Sequence, residues 1–112
     1  MPQENKINLS IVIPVFNEER YLNKLFLDLT KYFNSKEIEV IIVDDGSTDK
    51  STQILNQLQK NKDYKFVFKI IRLEINSGKG KALQTGIKKS LGEYILLQDA
   101  DLELDTNCLL YT

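Results

Sequence analysis

The sequence contains no histidine and a single cysteine, Cys108. The absence of histidine excludes the usual general base, histidine-containing catalytic triads and histidine metal ligands. A lone cysteine cannot form a disulfide within the chain, which suits a reducing compartment such as the cytoplasm. The chemistry of this chain must therefore rest on other side chains.

Other scarcities disfavour further classes of protein. The net charge is only −1, so there is no basic field for binding nucleic acid. No apolar run approaches the roughly 20 residues that span a bilayer. Residues 1–8 are polar and lack the apolar core of a signal peptide. The 112 residues, 42% of them apolar, suit one small globular domain or part of a larger one.

The apolar pattern predicts four strands that alternate with three helices. The strands are expected at residues 9–14, 37–43, 66–73 and 93–98, and the helices at residues 18–33, from near residue 54, and at residues 81–90. We expect Pro14, which has no N–H to donate, to end the first strand, and Asn17 to cap the first helix. This order is typical of an α/β fold, a three-layer α/β/α arrangement with a mainly parallel sheet. Ligands bind such sheets at the carboxyl ends of the strands.

The fourth predicted strand ends at Asp99-Ala100-Asp101, two carboxylates separated by one small residue. Carboxylates are costly to desolvate, so this pair must leave the strand near water, a cation or both. It suits a hard divalent cation that carries phosphate oxygens. For an isolated pair, the alternative is a solvated turn that caps a helix. A calcium loop counted from Asp99 is excluded, because its sixth position requires glycine and is Leu104 here.

Three further segments could contact a nucleotide. Asp44-Asp45 follows the second strand, where carboxylates can accept hydrogen bonds from a base imide or a ribose hydroxyl, or form a turn and helix cap. Phe16 follows the first strand, either as an exposed ring that stacks on a base or as a core residue. Ser77-Gly78-Lys79-Gly80-Lys81 could place lysines and N–H groups near a phosphate, or be a solvated loop. It is not a Walker A loop, since Ala82 stands where Ser or Thr is required.

Taken together and in order, four segments at these strand ends resemble a known family. They are Ile11-Val12-Ile13-Pro14-Val15-Phe16-Asn17-Glu18-Glu19, Val43-Asp44-Asp45-Gly46-Ser47-Thr48-Asp49, Asn76-Ser77-Gly78-Lys79-Gly80-Lys81-Ala82 and Leu97-Gln98-Asp99-Ala100-Asp101-Leu102-Glu103. The chain resembles the N-terminal, nucleotide-sugar-binding half of a family 2 glycosyltransferase with the GT-A fold. Within that family it is most like the dolichyl- or polyprenyl-phosphate hexose synthases.

The resemblance implies a site for the nucleoside part of a nucleotide sugar. Pro14 and Phe16 would line the base pocket, and Glu18 would reach the ribose. Asp45, supported by Asp44, would recognise the edge of the base.

The same resemblance implies a metal–diphosphate site beside it. Lys79 would lie near the diphosphate. Asp99 and Asp101 would hold Mg²⁺ or Mn²⁺ on that diphosphate, with Ala100 contributing backbone and Gln98 beside them. The cation would neutralise the charge that develops on the leaving nucleoside diphosphate.

The implied activity is inverting transfer of a hexose from a UDP- or GDP-sugar to a lipid-phosphate or glycan acceptor. A polyprenyl or dolichyl phosphate is the expected acceptor, reached by peripheral association at the cytoplasmic face of a membrane. In this family the acceptor site and the candidate general base follow the Asp-X-Asp segment. No catalytic residue is therefore assigned within this chain.

The resemblance also divides the chain. Residues 1–8 form a polar tail, residues 9–105 the half-domain, and residues 106–112 a tail that departs from the family. After Leu104-Asp105 a proline is usual, and here Thr106 follows. We therefore expect an incomplete domain, whose exposed sheet edge or face could pair with another copy of the chain.

Three other interpretations compete with this one. The first is a truncated, non-catalytic module that holds a nucleotide without transfer. The second is a sugar-phosphate nucleotidyltransferase, which would need a loop rich in glycine and arginine where Pro14-Val15-Phe16-Asn17 stands. The third is a receiver-like or other doubly wound domain, which would use Asp44-Asp45 but would not need both Asp99 and Asp101.

Overall fold

Strands and helices alternate along the chain. A computed structural model describes residues 6–61, 63–101 and 110–111. In chain order, the elements are β1 Leu9–Val15, α1 Leu22–Tyr32, β2 Ile38–Asp45, α2 Ser51–Asn61, β3 Val67–Leu73, α3 Lys79–Lys89, β4 Tyr94–Leu97 and β5 Leu110–Tyr111. The predicted order of four strands and three helices is confirmed as far as β4.

The strands form one sheet in the order β3-β2-β1-β4-β5. Strands β1 to β4 are parallel to one another, whereas β5, the strand that follows β4 in the sheet, is antiparallel to β4. The predicted α/β fold with a mainly parallel sheet is therefore confirmed. Because β1, β2 and β4 are parallel, the segments that follow Val15, Asp45 and Leu97 leave the sheet at the same edge.

Helices cover both faces of the sheet. Each of β1 and β2 is a nearly continuous apolar run, because both faces of these central strands are buried. On one face, the apolar residues of α1 and α2 pack against the sheet; they are Leu22, Leu25, Phe26, Leu29 and Leu55. On the other face, Ala82 of α3 packs with Ile41 and Val43.

α3 approaches the sheet most closely at Gly86. A Cβ atom at this position would lie 2.4 Å from Val12 Cγ1 and 3.2 Å from Val43 Cγ2. A larger residue could not occupy this place without a shift of the helix or of β1. The close packing sets the position of α3, which begins at the carboxyl-end edge of the sheet.

A buried charged side chain, that of Glu39, lies near the amino-terminal ends of the parallel strands. Glu39 Oε1 accepts hydrogen bonds from Ser10 Oγ at 2.6 Å and from the Leu91 N–H at 2.5 Å, and Glu39 Oε2 lies 2.8 Å from Lys69 Nζ. Burial by itself would raise the pKa of this carboxyl. The hydrogen bonds from Lys69, Ser10 and Leu91 outweigh burial and hold the pKa below its ordinary value. Glu39 thus connects three strands to the segment between α3 and β4.

The prediction that Pro14 ends the first strand is wrong. β1 continues to Val15, and Pro14 lies opposite Val43 in the parallel register. The reason is that alternate residues of β1 bond to opposite neighbours. Val12 C=O accepts from the Gln98 N–H, so Pro14 also faces β4, but the β1–β4 pairing ends at Val12 and Leu97. The missing N–H of proline therefore removes no bond from the ladder.

The predicted start of the first helix is also wrong. α1 begins at Leu22, with Tyr21 as its N-cap residue, so Asn17 does not cap it and Glu18 is not in its first turn. Asn17 instead has a φ of 54° and bonds to the segment after β2. The other boundaries differ from prediction by a few residues, and α3 begins at Lys79 instead of residue 81.

Part of the predicted division of the chain lies outside the described residues. This holds for residues 1–5 of the polar tail, for Cys108 and the rest of residues 102–109, and for residue 112. The pairing of Leu110–Tyr111 with β4 has no periodic signal in the sequence and was not predicted. Within the described ranges, no helix combines the length and the apolar character that a bilayer crossing requires.

Candidate functional site

A cavity of about 370 Å³ opens at the edge where β1, β2 and β4 end. Its lining comes from four separate segments of the chain: Pro14, Val15, Phe16, Glu18, Asp45, Asn76, Gly78, Lys79, Ala82, Asp99, Ala100 and Asp101. Open parallel sheets bind ligands at this position. The structure brings the predicted site residues together here, with the exception of Asp44 and Gln98.

The end of β1 forms one wall of the cavity. Pro14 is half-buried, whereas Phe16 is 41% exposed and contributes to the lining. Of the two alternatives that the sequence leaves open for Phe16, an exposed ring or a core residue, the structure shows the exposed ring. An exposed ring at a cavity can stack on the flat face of a base.

Glu18 lies on the same wall and faces other acidic groups. Burial raises the pKa of its carboxyl, and repulsion from Asp101, Asp49 and Asp99 raises it further. This region of the cavity thus concentrates negative charge and favours the approach of a cation.

Asp45 lies at the end of β2 and is almost fully buried. Its Oδ1 accepts a hydrogen bond from the Ser77 N–H at 2.7 Å, and its Oδ2 accepts one from the Gly78 N–H at 2.8 Å. Each oxygen has a further lone pair that could accept from a ligand. Asp45 therefore holds the segment after β3 in place and also lines the cavity.

Asp44 points away from the cavity into a separate network. It accepts hydrogen bonds from the Ser47 N–H at 3.0 Å and from Thr52 Oγ1 at 2.5 Å, and it pairs with Arg72 Nη1 at 3.0 Å. Arg72 also contacts Thr52 Oγ1. The structure thus gives Asp44 a buried position that fixes the turn after β2, and it does not bring Asp44 into the lining.

Lys79 connects the segment after β3 to the segment after β4. It is the first residue of α3, next to Gly78, whose φ of 95° is a backbone conformation that favours glycine. Lys79 Nζ lies 2.5 Å from Asp99 Oδ1. A positive charge therefore stands at one of the two predicted metal ligands.

The acidic pair follows β4 directly. Asp99, Ala100 and Asp101 all line the cavity, and Ala100 is also buried against the core. Gln98 is also buried, and its Nε2 donates to the Asp99 carbonyl at 3.0 Å. Gln98 thus contacts the backbone of the acidic segment without lining the cavity.

The donor set fits a hard divalent cation with an incomplete protein shell. Among residues 6–61, 63–101 and 110–111, no three His, Cys, Asp or Glu side chains converge as metal ligands. Asp99 and Asp101 could supply two carboxylates, and water and phosphate oxygens would complete the shell, as is usual for Mg²⁺. Asp99 contacts the Lys79 ammonium here, and a divalent cation would take the place of that contact.

Comparison with known proteins identifies the family. Residues 10–111 match the family model described as glycosyl transferase family 2. The chain belongs to glycosyl transferase family 2. This family 2 chain is 36% identical over 102 residues to a dolichyl-phosphate beta-glucosyltransferase of Trichomonas vaginalis, covering 85% of the chain and 31% of that protein. It is 34% identical over 103 residues to a poly-beta-1,6-N-acetyl-D-glucosamine synthase of Staphylococcus epidermidis, covering 92% of the chain and 24% of that protein.

Solved glycosyltransferase structures have a fold similar to that of this chain. The S. aureus TarS structure in complex with UDP matches with a TM-score of 0.75 and 36% identity, over 85% of this chain and 28% of that one. A mannosyltransferase of Pyrobaculum calidifontis, in complex with GDP-Man and Mn²⁺, matches in fold with a TM-score of 0.78 and 21% identity, over 86% of this chain and 28% of that one. The family 2 chain thus spans less than a third of the length of these proteins.

Several residues at the site were not singled out from the sequence. Asn76, Gly78 and Ala82 line the cavity, although the sequence offers them only as parts of a motif. The sequence predicts a helix cap at Asn17, whereas in the structure Asn17 joins the segments after β1 and β2. Its place between Phe16 and Glu18 was the available signal, but its partners are some thirty residues away and cannot be found from local pattern.

Proposed function

We propose that this chain is the donor-binding part of an inverting hexosyltransferase that uses a UDP- or GDP-sugar. One observation carries the proposal: the cavity gathers an exposed aromatic ring, a buried carboxylate, a lysine and an acidic pair at the carboxyl-end edge of the sheet. The ring and the buried carboxylate suit a base, and the lysine and the acidic pair suit a metal-bound diphosphate.

The nucleoside would occupy the side of the cavity formed by β1 and β2. Phe16 would stack on the base, with Pro14 beside it, and Glu18 would accept a hydrogen bond from a ribose hydroxyl. Asp45 would accept a hydrogen bond from the edge of the base through the lone pairs that Ser77 and Gly78 leave free.

The diphosphate would occupy the side formed by α3 and the segment after β4. Lys79 would turn from Asp99 towards the phosphates, and Asp99 and Asp101 would hold Mg²⁺ or Mn²⁺. When bound, the cation supplies positive charge that stabilises the leaving nucleoside diphosphate. The relatives include structures in complex with Mn²⁺, UDP and GDP-Man, which supports this assignment.

The acceptor belongs to the proposal as well. We propose a polyprenyl or dolichyl phosphate, reached at the cytoplasmic face of a membrane by peripheral association. The likeness to dolichyl-phosphate beta-glucosyltransferases supports a lipid phosphate. The likeness to TarS and to a poly-N-acetylglucosamine synthase makes a glycan or polyol-phosphate acceptor the alternative to test. We also propose that an exposed edge or face of the sheet could pair with a second copy of the chain.

Calorimetric titration of the chain tests the donor site. UDP, GDP, UDP-glucose, UDP-N-acetylglucosamine and GDP-mannose would each be titrated with Mn²⁺ and with a chelator. We expect binding of one nucleotide series that strengthens at least roughly tenfold with Mn²⁺. The double variant Asp99→Ala plus Asp101→Ala should lose this metal dependence.

The matched control is Asp63→Ala plus Glu93→Ala, which removes two exposed carboxylates outside the cavity lining. It should bind as the wild type does. Binding that is equal with and without Mn²⁺ would overturn the metal assignment. Absence of binding for every nucleotide would overturn the donor site. A separate transfer assay with lipid-phosphate and glycan acceptors distinguishes an active transferase from a module that only binds the nucleotide.

A further inference from the structure

Asn17 has a backbone conformation that is uncommon for residues other than glycine. Its φ is 54°, and it is the only non-glycine residue with a positive φ among those that the structure describes. Asparagine tolerates this left-handed region better than most side chains, but it occupies the region at some energetic cost. Such a conformation persists where the surrounding contacts hold it in place.

The contacts that hold Asn17 all come from the segment after β2. Its Oδ1 accepts hydrogen bonds from the Thr48 N–H at 2.8 Å and from the Asp49 N–H at 3.2 Å. Its Nδ2 lies 3.3 Å from Thr48 Oγ1, and its own N–H donates to Ser47 Oγ at 3.0 Å. The side chain and the backbone of a single residue thus bind the same short turn.

The residues after Asn17 continue the connection. The Glu18 N–H donates to Ser51 Oγ at 2.9 Å, and the Glu19 N–H donates to Asp49 Oδ2 at 3.3 Å. Hydrogen bonds therefore join three consecutive residues after β1 to the turn that leads into α2. Phe16 and Glu18, which flank Asn17, both line the cavity.

We propose that Asn17 is a positioning residue that clamps the segment after β1 to the segment after β2 and thereby fixes Phe16 and Glu18 opposite Asp45. The inference rests on the proposed donor site, to which it adds a residue outside the cavity lining. Asn17 acts through its neighbours and does not itself contact the nucleoside. Without the clamp, the segment that carries Phe16 and Glu18 would have to be ordered when the nucleotide binds, which weakens binding.

Asn17→Gly tests the clamp, because glycine adopts a positive φ readily and lacks the side-chain hydrogen bonds of asparagine. UDP and GDP would be titrated with Mn²⁺ by calorimetry. We expect a loss of affinity of roughly fivefold to tenfold, the size of one or two hydrogen bonds. Asn34→Gly is the matched control, since Asn34 Oδ1 also binds a distant backbone N–H, that of Lys65, but outside the cavity lining. It should leave nucleotide affinity unchanged.

Hydrogen exchange gives a second measurement that needs no ligand. In Asn17→Gly, the Thr48 and Asp49 amides should exchange faster by roughly tenfold, while amides of the central strands keep their protection. Ser51→Ala removes the acceptor of the Glu18 N–H from the other side of the connection, and it should change affinity in the same direction. This variant serves if Asn17→Gly does not fold.

The outcomes separate the two proposals. Unchanged exchange at Thr48 and Asp49 would overturn the clamp. Faster exchange with wild-type nucleotide affinity would show a structural contact only and overturn the positioning role. If the wild-type chain binds neither UDP nor GDP, the proposed function fails, and the exchange rates still decide between a clamped and an unclamped segment.

Discussion

Glu18 and Glu39 show how neighbouring groups set the behaviour of a carboxylate. Glu39 is fully buried and Glu18 is partly buried, and loss of contact with water raises the pKa of a carboxyl. At Glu18, nearby acidic groups raise it further, whereas at Glu39 the donors from Lys69, Ser10 and Leu91 reverse the direction. The negative charge therefore opposes folding at Glu18, in the cavity, and supports folding at Glu39, away from it.

Glu39→Gln should lower the stability of the chain. The variant removes the charge that pairs with Lys69 and replaces Oε2 by an amide NH2, which cannot accept from the Lys69 ammonium. We expect this to cost about 1–3 kcal/mol at neutral pH. Because the folded-state pKa of Glu39 is lowered from 4.5, its stabilising contribution is present above about that pH and is lost as pH falls through the folded pKa. Urea unfolding at pH 7 and at successively lower pH measures both effects. Equal stability of the two proteins at pH 7 would contradict this.

Glu18→Gln should have the opposite effect. Its folded-state pKa is raised from 4.5, so the ionised group destabilises the fold at neutral pH and ceases to do so once it is protonated in both states, below about 4.5. Thermal unfolding at pH 7 should show a gain below about 1 kcal/mol, since water screens a partly exposed charge. The gain should disappear in acid. Glu19→Gln, the same change at an exposed neighbour, is the matched control and should leave the stability almost unchanged. A loss of stability in Glu18→Gln at pH 7 would refute the argument.

At the scale of elements, the packing of α3 depends on one glycine. Gly86→Ala would place a methyl group against Val12 and Val43, and overpacking of this kind costs about 1–3 kcal/mol. Gly80→Ala is the matched control in the same helix, because a Cβ there meets nothing within 4 Å. It should stabilise α3 by up to about 1 kcal/mol. Urea unfolding compares the two, and the prediction fails if both changes act in the same direction.

The accuracy of prediction differed between elements for physical reasons. β1 and β2 could be predicted because both of their faces are buried, so their sequences are nearly all apolar. The start of α1 could not, since Asn17-Glu18-Glu19 has the composition of a helix start while its donors and acceptors bind the turn after β2. Hydrogen bonds between distant segments overrode local preference there.

The same distinction applies to the site. Strand ends and acidic side chains identify Asp45, Asp99 and Asp101 as candidates, because parallel strands bring their carboxyl ends together. The partners of Asp45 could not be predicted, since the N–H groups of Ser77 and Gly78 belong to every residue type and carry no sequence signal. Asp44 is the opposite case: it is acidic and next to Asp45 in sequence, yet its side chain bonds to Ser47 and Arg72 and not in the cavity.

At the scale of the whole molecule, the cavity draws on three strands and on α3, so a bound ligand should stabilise the entire sheet. Under the proposed function, UDP or GDP at 100 times its dissociation constant should raise the free energy of unfolding by about 2.7 kcal/mol with Mn²⁺ present. A chelator should remove most of this gain. Amide exchange in β3 and in α1, remote from the acidic pair, measures whether the gain is global. Protection confined to the cavity would contradict a cooperative unit.

The strand order affects the sequence in which the parts of the site form while the chain is synthesised. β1 lies between β2 and β4, so Leu9 pairs with Ile38 and also with Tyr94. A ribosome supplies β1 and β2 first, and they can associate with α1 before the remainder exists. Asp99 reaches the cavity only when β4 pairs with β1. Among the strand pairs that the structure describes, this pair is the most distant in sequence, and contacts between distant segments form most slowly. Under the proposed function, we therefore expect the groups assigned to the base to come together during synthesis before the groups assigned to the diphosphate, so that a nascent chain could bind a whole donor only after β4 has joined the sheet.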